Sequence, residues 1–253
     1  MIDLDHLSYS SISLYLRCGR AWYGRYVDHV KMPTSPALVF GSAVHNTIER
    51  HLKTGQDLLS AWPECWSEQV RSEEMGIEWG ADTPESFVND GIHYLGTAAI
   101  RDSIAALKCA VGTNGPRVEE RVTLNVPGVP LPLIGYIDFI APDGVPCDLK
   151  TSARSWTQDK AQKEPQSLYY LAALNQAGET VPQWMFRHYV LVKTKKSQWQ
   201  VFEHTHSVAE VFGLLDTIQA AWRGIEAGIF TPNTGGWQCS PKYCDIYQQC
   251  QGK

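Results

Sequence analysis

The sequence predicts an α/β fold, in which a central mixed sheet of about five strands is flanked by helices. Three observations carry that reading. Residues 119–152 read as three successive strands with turn residues between them. Residues 184–206 read as two more, joined by the polar turn Lys195-Lys196-Ser197-Gln198. The stretches on either side have helical spacing and helix-capping residues.

In chain order, residues 9–27 read as a helix capped by Ser10 or Ser11, with Ile12, Tyr15, Leu16, Trp22, Tyr23 and Tyr26 as its apolar side. Arg17, Arg20 and Arg25 are interleaved with those aromatics. Residues 31–37 form a Pro-rich connector. A second helix opens after Gly41, with Ser42 as N-cap, and runs to Lys53. Its His45 and Glu49 are i,i+4 neighbours. They suit zinc only with a third ligand, and none follows nearby.

Residues 57–116 read as a helical insertion, with helices at 58–74 and 84–108 and Trp62, Trp66 and Trp79 among them. This stretch carries no recognisable chemistry and suits the wall of a substrate channel. After it come strand 119–126, a turn at 127–132 and the hairpin 133–152, giving an antiparallel meander by connection length. Pro165 at a first helical turn and Gly178 past the last bracket another helix. Ser207 with Glu210 forms a capping box that starts a helix reaching Gly228.

The chain has 253 residues, 43% hydrophobic and 19% charged, which suits one domain over 1–253 with an ample core. No apolar run approaches a membrane span, and the N-terminus lacks the pattern of a secretory signal. A soluble cytoplasmic protein of a bacterial or phage-infected cell is expected, without a membrane partner. The net charge of −5 argues against a simple DNA-coating module, though not against an enzyme with a local basic channel. Seven cysteines, an odd number, do not suit a disulfide framework.

The hairpin holds the chemistry. Asp138 interrupts its first apolar strand, and Asp148 and Lys150 share a face of the second. Charges on apolar strands are costly unless used. Mg²⁺ or Mn²⁺ uses carboxylates and keeps positions for water and a phosphate. Lys150 would orient or deprotonate the water, or stabilise the phosphorane charge. An ordinary Asp–Lys salt bridge on a half-exposed strand is the alternative.

The second constellation is Cys239, Cys244 and Cys250, three soft ligands within a dozen residues. Cys18 is the natural fourth if the C-terminus folds back on the N-terminus. Thiolates select zinc or an iron–sulfur cluster. The absence of a nearby His and of paired CxxC knuckles favours a four-iron cluster, with zinc as the alternative. Either would act as a clasp between Cys18 and the tail 237–253.

Gly41-x-x-x-His45, Gly135-x-x-Asp138, Asp148-x-Lys150 and Gln166-x-x-x-Tyr170 follow one another in an order that resembles the PD-(D/E)XK nuclease superfamily, in particular its RecB-like branch. One Cys before the His and three at the C-terminus resemble the iron–sulfur members of that branch, the AddB-type and CRISPR-associated RecB-like exonucleases. The resemblance spans Cys18 to Cys250. It implies a restriction-endonuclease-like core, with His45, Asp138, Asp148 and the Leu149 carbonyl as metal ligands and Lys150 as the catalytic lysine. Gln166 and Tyr170 would position the DNA strand or support the site. Cys18, Cys239, Cys244 and Cys250 would hold a 4Fe-4S cluster. Asp148 stands where Glu is common, the Cys239–Cys244 spacing is wider than usual, and Gly19 replaces a common Pro.

The resulting expectation is a metal-dependent DNA nuclease, an exonuclease preferring single strands or free ends, in recombination, repair or phage DNA processing. A helicase or recombination protein is the candidate partner. Aromatic and arginine side chains would stack bases and track phosphates of a single strand. Two other enzyme-or-binder readings are an endonuclease and a catalytically silent DNA-binding scaffold, the latter expected to have lost an Asp or Lys. A small zinc-stabilised protein is the third class, separated by its lack of colour.

Overall fold

A computed structural model describes residues 4–251. Its sheet runs β3 (Val118–Leu124), β4 (Leu133–Ile140), β5 (Pro146–Ser152), β6 (Met185–Val192), β7 (Gln198–Thr205) in that spatial order. A separate two-stranded ribbon, β1 (Val111–Gly112) with β2 (Gly115–Pro116), precedes it. Every neighbouring pair in the five-stranded sheet is antiparallel except β5 with β6. That parallel pair needs a crossover, which α7 (Gln158–Gln162) and α8 (Pro165–Gln176) supply. The sheet is therefore mixed and five-stranded, as the sequence predicts.

Helices α1 (Tyr9–Arg17), α2 (Gly19–Tyr26), α8 and α9 (Val208–Glu226) share one core with β3 and β4, through Trp22, Ile137, Tyr169 and Trp222. Helices α3 (Pro36–Thr54), α4 (Leu58–Ser72), α5 (Pro84–Gly96) and α6 (Ala98–Ala105) build a second core, in which Phe40 and Trp62 meet Phe139 and Leu149 of the sheet. The tail ends in the short helix α10 (Tyr247–Cys250).

Several boundaries differ from the sequence expectation. The helix expected over 9–27 breaks at Cys18, whose backbone is extended (φ −164°, ψ 102°). The segment after α9 docks at the break: Arg20 N–H donates to Thr231 O, and Phe230 stacks on Trp22. The cap of α1 is Ser8, in a capping box with Ser11, rather than Ser10 or Ser11. Helix α3 begins at Pro36 behind Ser35, so Ser42 lies inside it. Proline at the first helical position is a start signal, not a connector. The helix expected over 84–108 is two, divided at Thr97, whose extended backbone starts α6.

The capping box at Ser207 is present. Glu210 bonds His206 and the Ser207 amide and hydroxyl, which hold its carboxyl down at about 2. A carboxyl whose folded pKa lies below its unfolded value stabilises above the unfolded value, near 4.5. That contribution is lost as pH falls towards 2. Glu210→Gln is therefore expected to lower Tm at pH 7, and the gap to wild type should close on acidification. Thermal melts from pH 7 to 2 check this, and a gap that stays constant or widens contradicts it.

Candidate active site

The site lies where β4 and β5 separate. The two strands pair only at Phe139 with Cys147 and Ile140 with Pro146. Beyond that, the edge of β4 is taken instead by the N-terminal segment: Leu7 N–H donates to Pro132 O, and Ile134 N–H to Leu7 O. Strand β5 turns to β6, with Asp148 opposite His188. The fork between them receives side chains from α3 and α8.

Two glycines let those helices approach. A Cβ on Gly41 would sit 3.0 Å from Thr151 Oγ1, so α3 lies directly against β5 and brings His45 in. A Cβ on Gly135 would sit 2.7 Å from the Tyr169 ring and 3.1 Å from that of Tyr170, so α8 crosses β4 closely. The glycines of Gly-x-x-x-His and Gly-x-x-Asp are thus contact positions.

The residues singled out in the sequence meet here. Asp138 accepts the Leu149 N–H, and its other oxygen lies 3.7 Å from His45 Nδ1. Lys150 Nζ donates to Asp148 Oδ1 at 2.6 Å and to Gln166 Oε1 at 3.1 Å. Gln166 Nε2 donates to the Tyr170 hydroxyl at 2.8 Å, which donates to Tyr136 O at 2.6 Å. Gln166 and Tyr170 therefore form a strut from the backbone of β4 to the lysine.

Asp148 is only 3% exposed. Burial works against its charge, but Lys150 and a hydrogen bond from His188 outweigh it and hold the carboxyl at about 2. Burial likewise opposes the charge on Lys150, and the Asp148 and Asp138 carboxylates overcome it, so its pKa is raised. Lys150 is thus an ammonium at neutral pH, suited to holding negative charge rather than to taking a proton. Burial also disfavours the His45 cation, yet Asp138 raises its pKa.

Sequence reasoning missed two features. Glu119 lies between the β3–β4 pairs Val118–Phe139 and Glu120–Ile137, beside Asp138, with a left-handed backbone, φ 56°. Ile137 and Phe139 would share a face of a regular strand, yet they pack into different cores, so the strand changes phase beside Asp138. Desolvation, with the Asp138 and Glu49 charges, pushes the Glu119 carboxyl up to about 7. The second feature is a buried polar chain behind Asp148. His188 Nδ1–H donates to Asp148 Oδ2 at 3.2 Å, and its ring stacks on His204. Ser167 Oγ bridges His204 and His206, and His206 reaches Glu210. His188 lies on β6, His204 on β7 and His206 just past its end, and all three are buried, so they resemble core positions. Only the parallel pairing places His188 beside Asp148.

The four cysteines Cys18, Cys239, Cys244 and Cys250 line one cavity of about 400 Å³ between the α1–α2 break and the tail. None of them is in a disulfide, and Asn233 N–H points at Cys18 Sγ, 3.4 Å away. Burial and the nearby Cys18 and Cys239 sulfurs raise the Cys244 thiol pKa. Arg25 pairs with Asp245 and Trp22 is fully buried, so these two side chains hold the tail and the core. Glu49 pairs with Lys53 and not with His45 in a zinc site. Among the described residues, no three His, Cys, Asp or Glu side chains converge as one bound ion requires.

The family model of the PD-(D/E)XK nuclease superfamily matches residues 6–251. A crystal structure titled "Putative exonuclease" from Eubacterium rectale superposes with a TM-score of 0.64 at 12% identity, covering 97% of this chain and 88% of that one. Likeness at that identity concerns the fold. A crystal structure titled SSO0001 aligns over 94% of this chain and 90% of its own, with a TM-score of 0.36 and 13% identity. No curated protein matches.

Proposed function

We propose that this chain, which belongs to the PD-(D/E)XK nuclease superfamily, is a divalent-metal-dependent deoxyribonuclease acting on single strands or free ends. One observation carries the reading: a charged lysine is fixed between a buried carboxylate and a glutamine, in a fork that also presents Asp138 and His45. A structural salt bridge needs neither the Gln166–Tyr170 strut nor the second carboxylate.

Asp138, Asp148, His45 and the Leu149 carbonyl are the groups that would hold Mg²⁺ or Mn²⁺. By chemistry the donor set, hard oxygen with one imidazole, suits either ion, although the three side chains do not converge on one point as they stand. Bound there, the ion supplies an activated water and neutralises phosphate charge. The chain's own residues do the rest. Lys150 offers N–H donors to the developing phosphorane charge. Gln166 fixes the direction of Nζ, and Tyr170 fixes Gln166. His188 keeps Asp148 ionised and oriented, and the Leu149 amide orients Asp138.

Cys18, Cys239, Cys244 and Cys250 would hold a 4Fe-4S cluster. In support, the cavity they share has room for a body larger than one zinc ion, and they come from both ends of the chain. Anaerobically purified protein should be brown, absorbing at roughly 400 nm, and Cys18→Ser should bleach it and lower Tm. A colourless protein with one zinc contradicts the cluster. DNA recombination or repair is the setting that best suits a nuclease of this type, with a helicase or recombination protein as partner.

The assay is digestion of end-labelled linear and closed circular single-stranded DNA in Mg²⁺ or Mn²⁺. Loss of the linear substrate with the circle intact supports an exonuclease. Cutting of the circle makes it an endonuclease, and no digestion in either metal sinks the proposal in favour of a binding scaffold.

A further inference from the structure

Beside the fork, and sharing Gln166 and Tyr170 with it, lies a second cleft of about 500 Å³. Its size falls in the range that holds a small ligand or one nucleotide. Arg121 of β3 and Tyr136 of β4 are cross-strand partners on its wall. Arg117, just before β3, is committed to Glu120 and Glu179. Arg121 makes no salt bridge among the described residues, and no carboxylate lines the cleft. Tyr136 is 51% exposed and lines the cleft, so its ring is accessible from it. Tyr9 and His6 close the cleft from the N-terminal segment.

We propose that this cleft is a nucleotide subsite, in which Tyr136 stacks an unpaired base and Arg121 holds its phosphate. The inference rests on the nuclease reading and supplies a physical source for a single-strand preference. Tyr136 stands two residues from Asp138 along β4, ~7 Å. A nucleotide held there adjoins the scissile phosphate. Its base meets the ring only when freed from its own stack, which single strands and frayed ends provide without cost and an intact duplex does not. The backbone of the same residue, Tyr136 O, anchors the strut to Lys150 through Tyr170 and Gln166. Subsite and catalytic lysine are therefore held in one frame.

The test uses the full chain and a fluorescein-labelled oligothymidylate. Binding is read by anisotropy in chelator, and cleavage is read in Mn²⁺ on the oligothymidylate and on a blunt duplex. Tyr136→Ala is expected to weaken strand binding and raise KM about tenfold or more, with kcat changed far less. Tyr136→Phe should restore both. Arg121→Ala should reduce the salt dependence of binding by about one phosphate contact. Arg71→Ala, on α4 with its side chain on the Ser67 carbonyl, is the control and should behave as wild type. Both target side chains are exposed, so melting temperatures should stay close to wild type. If wild type cleaves and neither Tyr136→Ala nor Arg121→Ala changes KM or salt slope, the subsite is overturned and the nuclease reading stands. If wild type binds the strand through these residues but cuts nothing, the subsite stands and the nuclease reading falls. A wild type that neither binds nor cuts overturns both.

Discussion

Lys150→Ala is expected to lower DNA cleavage by about 10²–10³-fold while leaving strand binding in place. Lys150 Nζ is held by Asp148 and Gln166, and its raised pKa keeps it charged. Its loss removes donors used only as phosphorane charge develops, so the effect falls on kcat and not on KM. Lys150→Arg should not rescue, because a planar fork cannot take the place of a point charge between two fixed oxygens. Gln166→Ala is expected to give a smaller loss of the same kind, since the lysine then keeps Asp148 as its partner. Steady-state kinetics on labelled single-stranded DNA read these differences. A Lys150→Ala protein with wild-type kcat removes the lysine from the mechanism.

Trp62→Ala is expected to cost about 3–5 kcal/mol, the largest stability loss of any single truncation considered. Trp62 is fully buried on α4 and packs on Phe40 and Trp66, with its Nε1–H donating to Val88 O of α5. Removing it leaves a cavity and an unpaired carbonyl. For a chain of this size, a loss of 1 kcal/mol lowers Tm by roughly 2–4 °C, so a fall on the order of 10 °C is expected. The second core also supports α3, which carries His45, through Phe40 and Val44. The helical insertion is therefore expected to act as the backing of the proposed active site. A melt within 2 °C of wild type, a margin of about 1 kcal/mol, contradicts that role.

The strands were legible because β-branched runs and turn residues mark them directly, and α8 and α9 because Pro165 and the Ser207–Glu210 box mark their starts. The proposed catalytic constellation was legible because Asp138, Asp148 and Lys150 are charges where the pattern calls for apolar residues, and the fold brings them together. Helix α3 is capped seven residues before Ser42, because Pro36, in what reads as a Pro-rich connector, occupies the first helical turn. The break at Cys18 has no local signal: Gly19 alone is weak, and the cause is a segment more than 200 residues away packing on Trp22. His188 and Glu119 were invisible for the same reason. One needs the parallel β5–β6 register, and the other needs a left-handed residue inside a strand that sequence propensity disfavours for glutamate.

The central claim is that the β4–β5 fork is a metal-dependent nuclease centre. Its most direct test is cleavage of uniformly labelled single-stranded DNA by chelator-treated wild type and Asp148→Asn, measured as Mn²⁺ is added back. The account expects no cleavage before metal, recovery with Mn²⁺ in wild type, and none in Asp148→Asn. Cleavage that survives the chelator, or equal rates in the two proteins, contradicts it.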